Sequence, residues 1–170
     1  MKITIVDYDP NWVHLFEKES KVIKQCVGQD NFINCIHIGS TSVPRLKAKP
    51  IIDMVLIVND IYELEKSNEE FIKLGYEPMG ENGLIGRRFF RKAFDTHIHA
   101  YQFDNVKEIQ RHVSFKDYLI DHPHVCAEYA DLKQRLARED RDMAGYCEGK
   151  DAFIKHHEAE ALRYLWRSKQ

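Results

Sequence analysis

The chain has 170 residues, 44% hydrophobic and 31% charged, with a formal net charge of −2. That length suffices for one domain with a full core, residues 1–170, and the composition excludes wholesale disorder. A near-neutral balance excludes general nucleic-acid binding, so any phosphate recognition must be local.

In chain order, the run Met1-Lys-Ile-Thr-Ile-Val6 is interrupted by Asp7 and Asp9 too soon for a signal peptide, and no apolar run reaches membrane-spanning length. The expected setting is the cytoplasm, with Cys26, Cys35, Cys126 and Cys147, which show no C-x-x-C spacing, as reduced thiols. Ile3 to Val6 reads as a short strand. Asp9-Pro10 then opens an amphipathic helix, with Trp12, Leu15, Phe16, Val22, Ile23 and Cys26 at helical spacing, ending near Gly28. Ile33 to Ile38 predicts a strand leading into a Gly-Ser turn, and Pro50 to Val58, almost unbroken apolar and rich in β-branched residues, predicts a buried strand. A helix from Ile61 stops at Gly75, and Tyr76 to Phe103 returns to strands, with Lys92 to Thr96 as a hairpin connection. Helices are predicted over Val106 to Leu119, His124 to Arg138 and Asp151 to Trp166, with Pro123, Gly145 and Gly149 as breaks. Strands early and centrally with closing helices predict an α+β domain of mixed sheet, covering helices and a helical C-terminal part.

Two stretches carry chemistry. In His37-Ile-Gly-Ser-Thr-Ser-Val-Pro44, a Gly-Ser turn can bring backbone N–H groups and hydroxyls close to an anion, which makes Gly39, Ser40, Thr41 and Ser42 candidate phosphate ligands beside Lys49. In the strand that follows, Ile51, Asp53, Val55 and Ile57 share one face, and Ile52, Met54, Leu56 and Val58 the other. Asp53 is therefore a lone charge among apolar neighbours, a costly placement unless it meets a cation or donors, and it is the candidate catalytic residue and metal ligand. The alternative is an Asp paired with a basic side chain near the strand end. His97 and His99 share one strand face and complete a candidate divalent-metal site with Asp53, for magnesium, manganese or zinc. Exposed or merely hydrogen-bonded strand histidines are the alternative. In the basic run from Arg87, Arg87 and Arg91 share one face and Arg88 and Lys92 the other, and Arg88 and Arg91 are the candidates to neutralise phosphate charge. A solvated basic face is the competing reading.

The same residues resemble the GrpB family: the Gly-Ser run, Ala48-Lys49-Pro50-Ile51-Ile52-Asp53, Arg88 to Lys92, His97-Ile98-His99, Phe115 to Leu119 with His122-Pro123, Tyr129 to Lys133, and Tyr146 with Lys150 and Phe153-Ile154. The resemblance covers nearly the whole chain and implies a fold similar to the nucleotidyltransferase superfamily, whose members follow the turn with a strand bearing two alternate acids. Two positions depart. Arg45 stands where the family usually has glycine, and Val55 stands where a second acid would complete a two-metal clamp. The implied function is binding of a nucleotide or other phosphorylated small molecule with a divalent ion, and nucleotidyl or phosphoryl transfer to an acceptor. The alternatives are a non-catalytic binding module and a metal-dependent hydrolase.

Overall fold

The apolar run before Asn59 forms the spine of the fold. In the computed structural model, which describes residues 2–93, 95–139 and 141–169, Ile52–Val58 (β2) pairs antiparallel with Phe32–Ile38 (β1) and parallel with Thr96–Gln102 (β5). Arg87–Lys92 (β4) and Tyr76–Pro78 (β3) add antiparallel strands, giving a mixed sheet of order β1-β2-β5-β4-β3. The fold class is α+β, as the sequence predicts.

Alternation along β2 sends Met54, Leu56 and Val58 into a core closed by Asn11–Val27 (α1), Ile61–Glu65 (α2) and Asn68–Lys73 (α3). Phe90, Ile98 and Ala100 join them from the neighbouring strands. Val55 and Ile57 face the other way, with Ile38 and Tyr101, under Val106–Asp121 (α4). Pro123–Arg138 (α5) and Met143–Arg167 (α6) pack with α4 around a second cluster that includes Leu119, Val125 and Tyr129. The candidate site residues Gly39, Ser40, Asp53, His97 and His99 lie between this sheet face and the closing helices.

Four expectations need correction. Ile3 to Val6 is no strand: its one bridge joins Val6 to Ala48, because the segment meets no longer partner. The helix from Ile61 is two, since Lys66 and Ser67 close α2 with three-residue hydrogen bonds to Glu63 and Leu64. The last helix starts at Met143, with Gly145 and Gly149 inside it. Asp142 caps it by accepting from the Gly145 N–H, and a Cβ on Gly149 would stand 2.6 Å from Leu136 Cδ2, so this glycine is what lets α5 and α6 approach. Finally, Arg88 lies on the opposite face of the sheet from Asp53, because Phe89, not Arg88, pairs with His99. The connection between β4 and β5 includes Phe94, which lies outside the described residues.

Candidate functional site

Register brings three predicted residues together. Asp53 pairs with His97 across β2 and β5, and the alternation of β5 puts His99 on the same face two residues on. Asp53 Oδ1 stands 3.3 Å from His97 Nδ1 and 3.5 Å from His99 Nε2. Burial pushes the Asp53 carboxyl up, but the hydrogen bonds from the two imidazoles outweigh it and hold the group well below the usual carboxylate range. On the far side of His99, the Arg87 guanidinium stands 3.5 Å from Nδ1. Arginine only donates, so that nitrogen accepts and the proton of His99 sits on Nε2, facing Asp53. His112, 4.9 Å from the His99 ring and bonded to the Tyr101 hydroxyl, is pushed down to about 2 by burial, with His99 and Arg111 adding, and backs the site as a neutral ring.

The preceding turn is fitted to the carboxylate. Gly39 sits at φ 71°, where glycine is favoured, and a Cβ there would stand 2.8 Å from Asp53 Oδ2. Thr41 and Ser42 are turned inward instead: the Thr41 hydroxyl donates to the Ile51 carbonyl and meets His37 Nε2, and the Ser42 hydroxyl donates to the Gly39 carbonyl. Those bonds hold the turn's shape. His37 is a core residue, stacked on Phe16 and pushed down to about 4 by burial and Lys116.

Around Gly39, Ser40, Asp53, His97 and His99 lies a cavity of about 370 Å³, within the range that holds small molecules. Its remaining wall carries four lysines, each from a different part of the chain: Lys49 before β2, Lys116 on α4, Lys133 on α5 and Lys150 on α6. Lys133 is 2% exposed and donates to the Ser40 hydroxyl (2.9 Å) and to the Lys47 carbonyl. Burial, with Lys150 and Lys49 nearby, pushes its ammonium down to about 7. Burial also lowers Lys150 and Lys116, the latter donating to the His37 carbonyl at 2.9 Å. Lys49 and Lys150 both lie over the Tyr146 ring, at 4.9 and 4.6 Å from its centroid. The Tyr146 hydroxyl is buried and has no hydrogen-bond partner among the described residues.

The two predicted arginines fall elsewhere. Arg88 bonds Glu65 at 2.6 Å on the opposite face, and Arg91, on the site's face, is paired with Glu77 at 2.7 Å and borders a neighbouring cavity. Arg45 is not part of the lysine cavity's wall; its φ of 72° lies where glycine is favoured. Among the described residues no group of three or more His, Cys, Asp or Glu side chains is arranged to hold a metal ion, and His97 and His99 stand as two imidazoles within 3.5 Å of one Asp53 carboxylate oxygen. Sequence reasoning placed Lys49 in the site, left Tyr146 and Lys150 either to close the cleft from the helical end or to serve as surface charge and packing, and missed Lys116 and Lys133. The signal for Lys133 was its position among Cys126, Tyr129 and Leu136 on the buried stripe of α5.

A family model described as GrpB protein matches residues 2–160. The chain belongs to the GrpB family. Protein YqkA of Bacillus subtilis strain 168 is 41% identical over 167 residues, covering 96% of this chain, which spans about half (48%) of YqkA's length. The crystal structure of conserved protein GrpB from Enterococcus faecalis superposes with a TM-score of 0.92 at 44% identity, over 96% of this chain and 99% of that one. A cytoplasmic RNA terminal U-transferase overlaps at a TM-score of 0.46 and 11% identity, over 76% of this chain and 42% of that one, a likeness that carries no argument about activity. No helix among the described residues is long and apolar enough to cross a membrane.

Proposed function

We propose that this GrpB protein binds a phosphorylated small molecule, a nucleotide in the first instance, with its phosphates among the four cavity lysines. The observation that carries the reading is Lys133: an ammonium 2% exposed, beside other lysines and with no carboxylate among its hydrogen-bond partners in the described residues. Burying such a charge is costly unless an anion offsets it, and a phosphate chain supplies several charges at once. The Tyr146 hydroxyl on the same wall, without a partner among the described residues, gives the ligand a further hydrogen-bonding group.

Asp53 would repel such a ligand unless a cation stood between them. A divalent ion held mainly by phosphate oxygens needs only one or two protein carboxylates, so the absence of a three-residue cage among the described residues does not exclude it. Asp53 and His97 would be its protein donors, whereas His99 is committed to hydrogen bonding by Arg87. When bound, the ion would neutralise phosphate charge and polarise a phosphoryl oxygen. Position 55 supports binding over two-metal transfer: Val55 is fully buried with Ile38 and Tyr101, where a second acid would need solvent or metal.

Calorimetric titration of ATP and inorganic tripolyphosphate, with and without manganese, tests the reading. Saturable binding that falls at least tenfold in Lys133→Met is expected, and Asp53→Ala should remove the manganese dependence alone. Pyrophosphate or phosphate release by the wild type, lost in Asp53→Ala, would favour an enzyme over a binding module. The absence of binding under all these conditions would refute the proposal.

A further inference from the structure

A second cavity, of about 450 Å³, adjoins the lysine-lined one and shares Lys49, Ile51 and His97 with it as a common wall. Its character is different. Phe89, Met79 and Met143 present ring and thioether surface, with Ile3 and Pro50 beside them, and Asn82 adds one carboxamide. Phe89 is 9% exposed and packs edge-on against His97, at 5.4 Å between centroids, so its ring is fixed relative to the phosphate site. Two cations line this cavity and not the first: Arg91 is already paired with Glu77, and Lys2 is an exposed residue, so this cavity offers a second phosphate group less charge than the four lysines beside it. Thioether and aromatic walls favour a flat, polarisable group, and an amide that both donates and accepts suits the heteroatom edge of such a ring.

The geometry points to this second cavity as the seat of a heteroaromatic base, joined across the shared wall to phosphates in the lysine cavity, so that the ligand class is a nucleotide and not a bare phosphate or sugar phosphate. This rests on the phosphate-binding reading above and narrows it. The shared wall sets the requirement: a ligand filling both cavities must carry its anionic and aromatic ends on one molecule, with a short polar link passing His97.

The test compares ATP, GTP, CTP and UTP with inorganic tripolyphosphate by calorimetry in manganese buffer, on the wild type and on Phe89→Leu, which keeps the apolar volume and removes the ring. Nucleoside triphosphates are expected to bind at least tenfold more tightly than tripolyphosphate, the scale of one base on an aromatic ring. Phe89→Leu should remove most of that gap and leave tripolyphosphate affinity unchanged. Met79→Ala, at a half-buried position of the same wall, makes the same comparison if Phe89→Leu does not fold. Equal affinity for tripolyphosphate and the nucleotides, or equal weakening of both in the variants, overturns the base site while leaving the phosphate site standing. Failure of every ligand to bind overturns both.

Discussion

Replacing Lys133 by methionine separates the cost of this residue from its use. The ammonium has a reference value of 10.5 and is pushed down to about 7, so at pH 6 the folded protein carries a charge its surroundings disfavour by roughly 5 kcal/mol at about 1.4 kcal/mol per unit. Methionine keeps the length and removes the charge, but it leaves the Lys47 carbonyl without this donor, a loss of about 1–3 kcal/mol. The variant should therefore be more stable than the wild type at pH 6, by about 2–4 kcal/mol, in line with other replacements of buried charges by apolar groups. The gap depends on pH with a definite sign. Between pH 7 and 10.5 the unfolded chain binds a proton at Lys133 that the folded protein does not, so wild-type stability rises with pH across that window. By pH 9 the wild type should have recovered about 3 kcal/mol relative to the variant, closing or reversing the gap. Urea unfolding of both proteins at pH 6, 7.5 and 9 measures it. A variant less stable than wild type at pH 6, or a difference that does not change with pH, refutes the reasoning.

Gly39→Ala places a methyl 2.8 Å from Asp53 Oδ2 on a backbone at φ 71°; a stability loss of about 1–3 kcal/mol is expected by thermal melting, together with weaker manganese-dependent binding. Gly149→Ala should cost about 1–3 kcal/mol, although alanine is normally the better helix former, because its Cβ meets Leu136 at 2.6 Å. Leu136→Ala in the same chain should recover part of that loss in a double-mutant cycle, and simple additivity would contradict the contact. Arg45→Gly should stabilise the protein by about 1 kcal/mol by relieving the positive φ, with phosphate affinity unchanged since Arg45 does not line the cavity. A drop in affinity would give that arginine a role the geometry does not.

What could be read from the sequence was what depends on local periodicity. Alternation along β2 put Asp53 opposite the Met54 and Leu56 face, and the two-residue spacing of His97 and His99 put both rings on one face; the strand register then supplied their meeting. Register itself could not be read, and that is why Arg88 was placed beside phosphate when its face, shared with Ile98 and Ala100, looks toward α2. Lys116 and Lys133 were lost, and Lys150 left between cleft and surface, for a related reason. Lys116, Lys133 and Lys150 come from three helices and converge only when these pack on the sheet, and a helical lysine reads as solvent-facing by default. Gly145 and Gly149 read as breaks because glycine disfavours helices, yet one lies in a capped first turn and the other is a packing contact. Val55 was informative in the opposite sense: the missing acid was visible in the sequence, and its burial shows the position is filled by core packing.

The most direct test is a crystal of the protein grown with manganese and a non-hydrolysable nucleoside triphosphate. The account predicts phosphate oxygens within hydrogen-bonding distance of Lys133 and Lys150, and an anomalous manganese peak between them and the Asp53 carboxylate. An ordered ligand bound elsewhere, with the lysine cavity holding only solvent at saturating concentration, would contradict it.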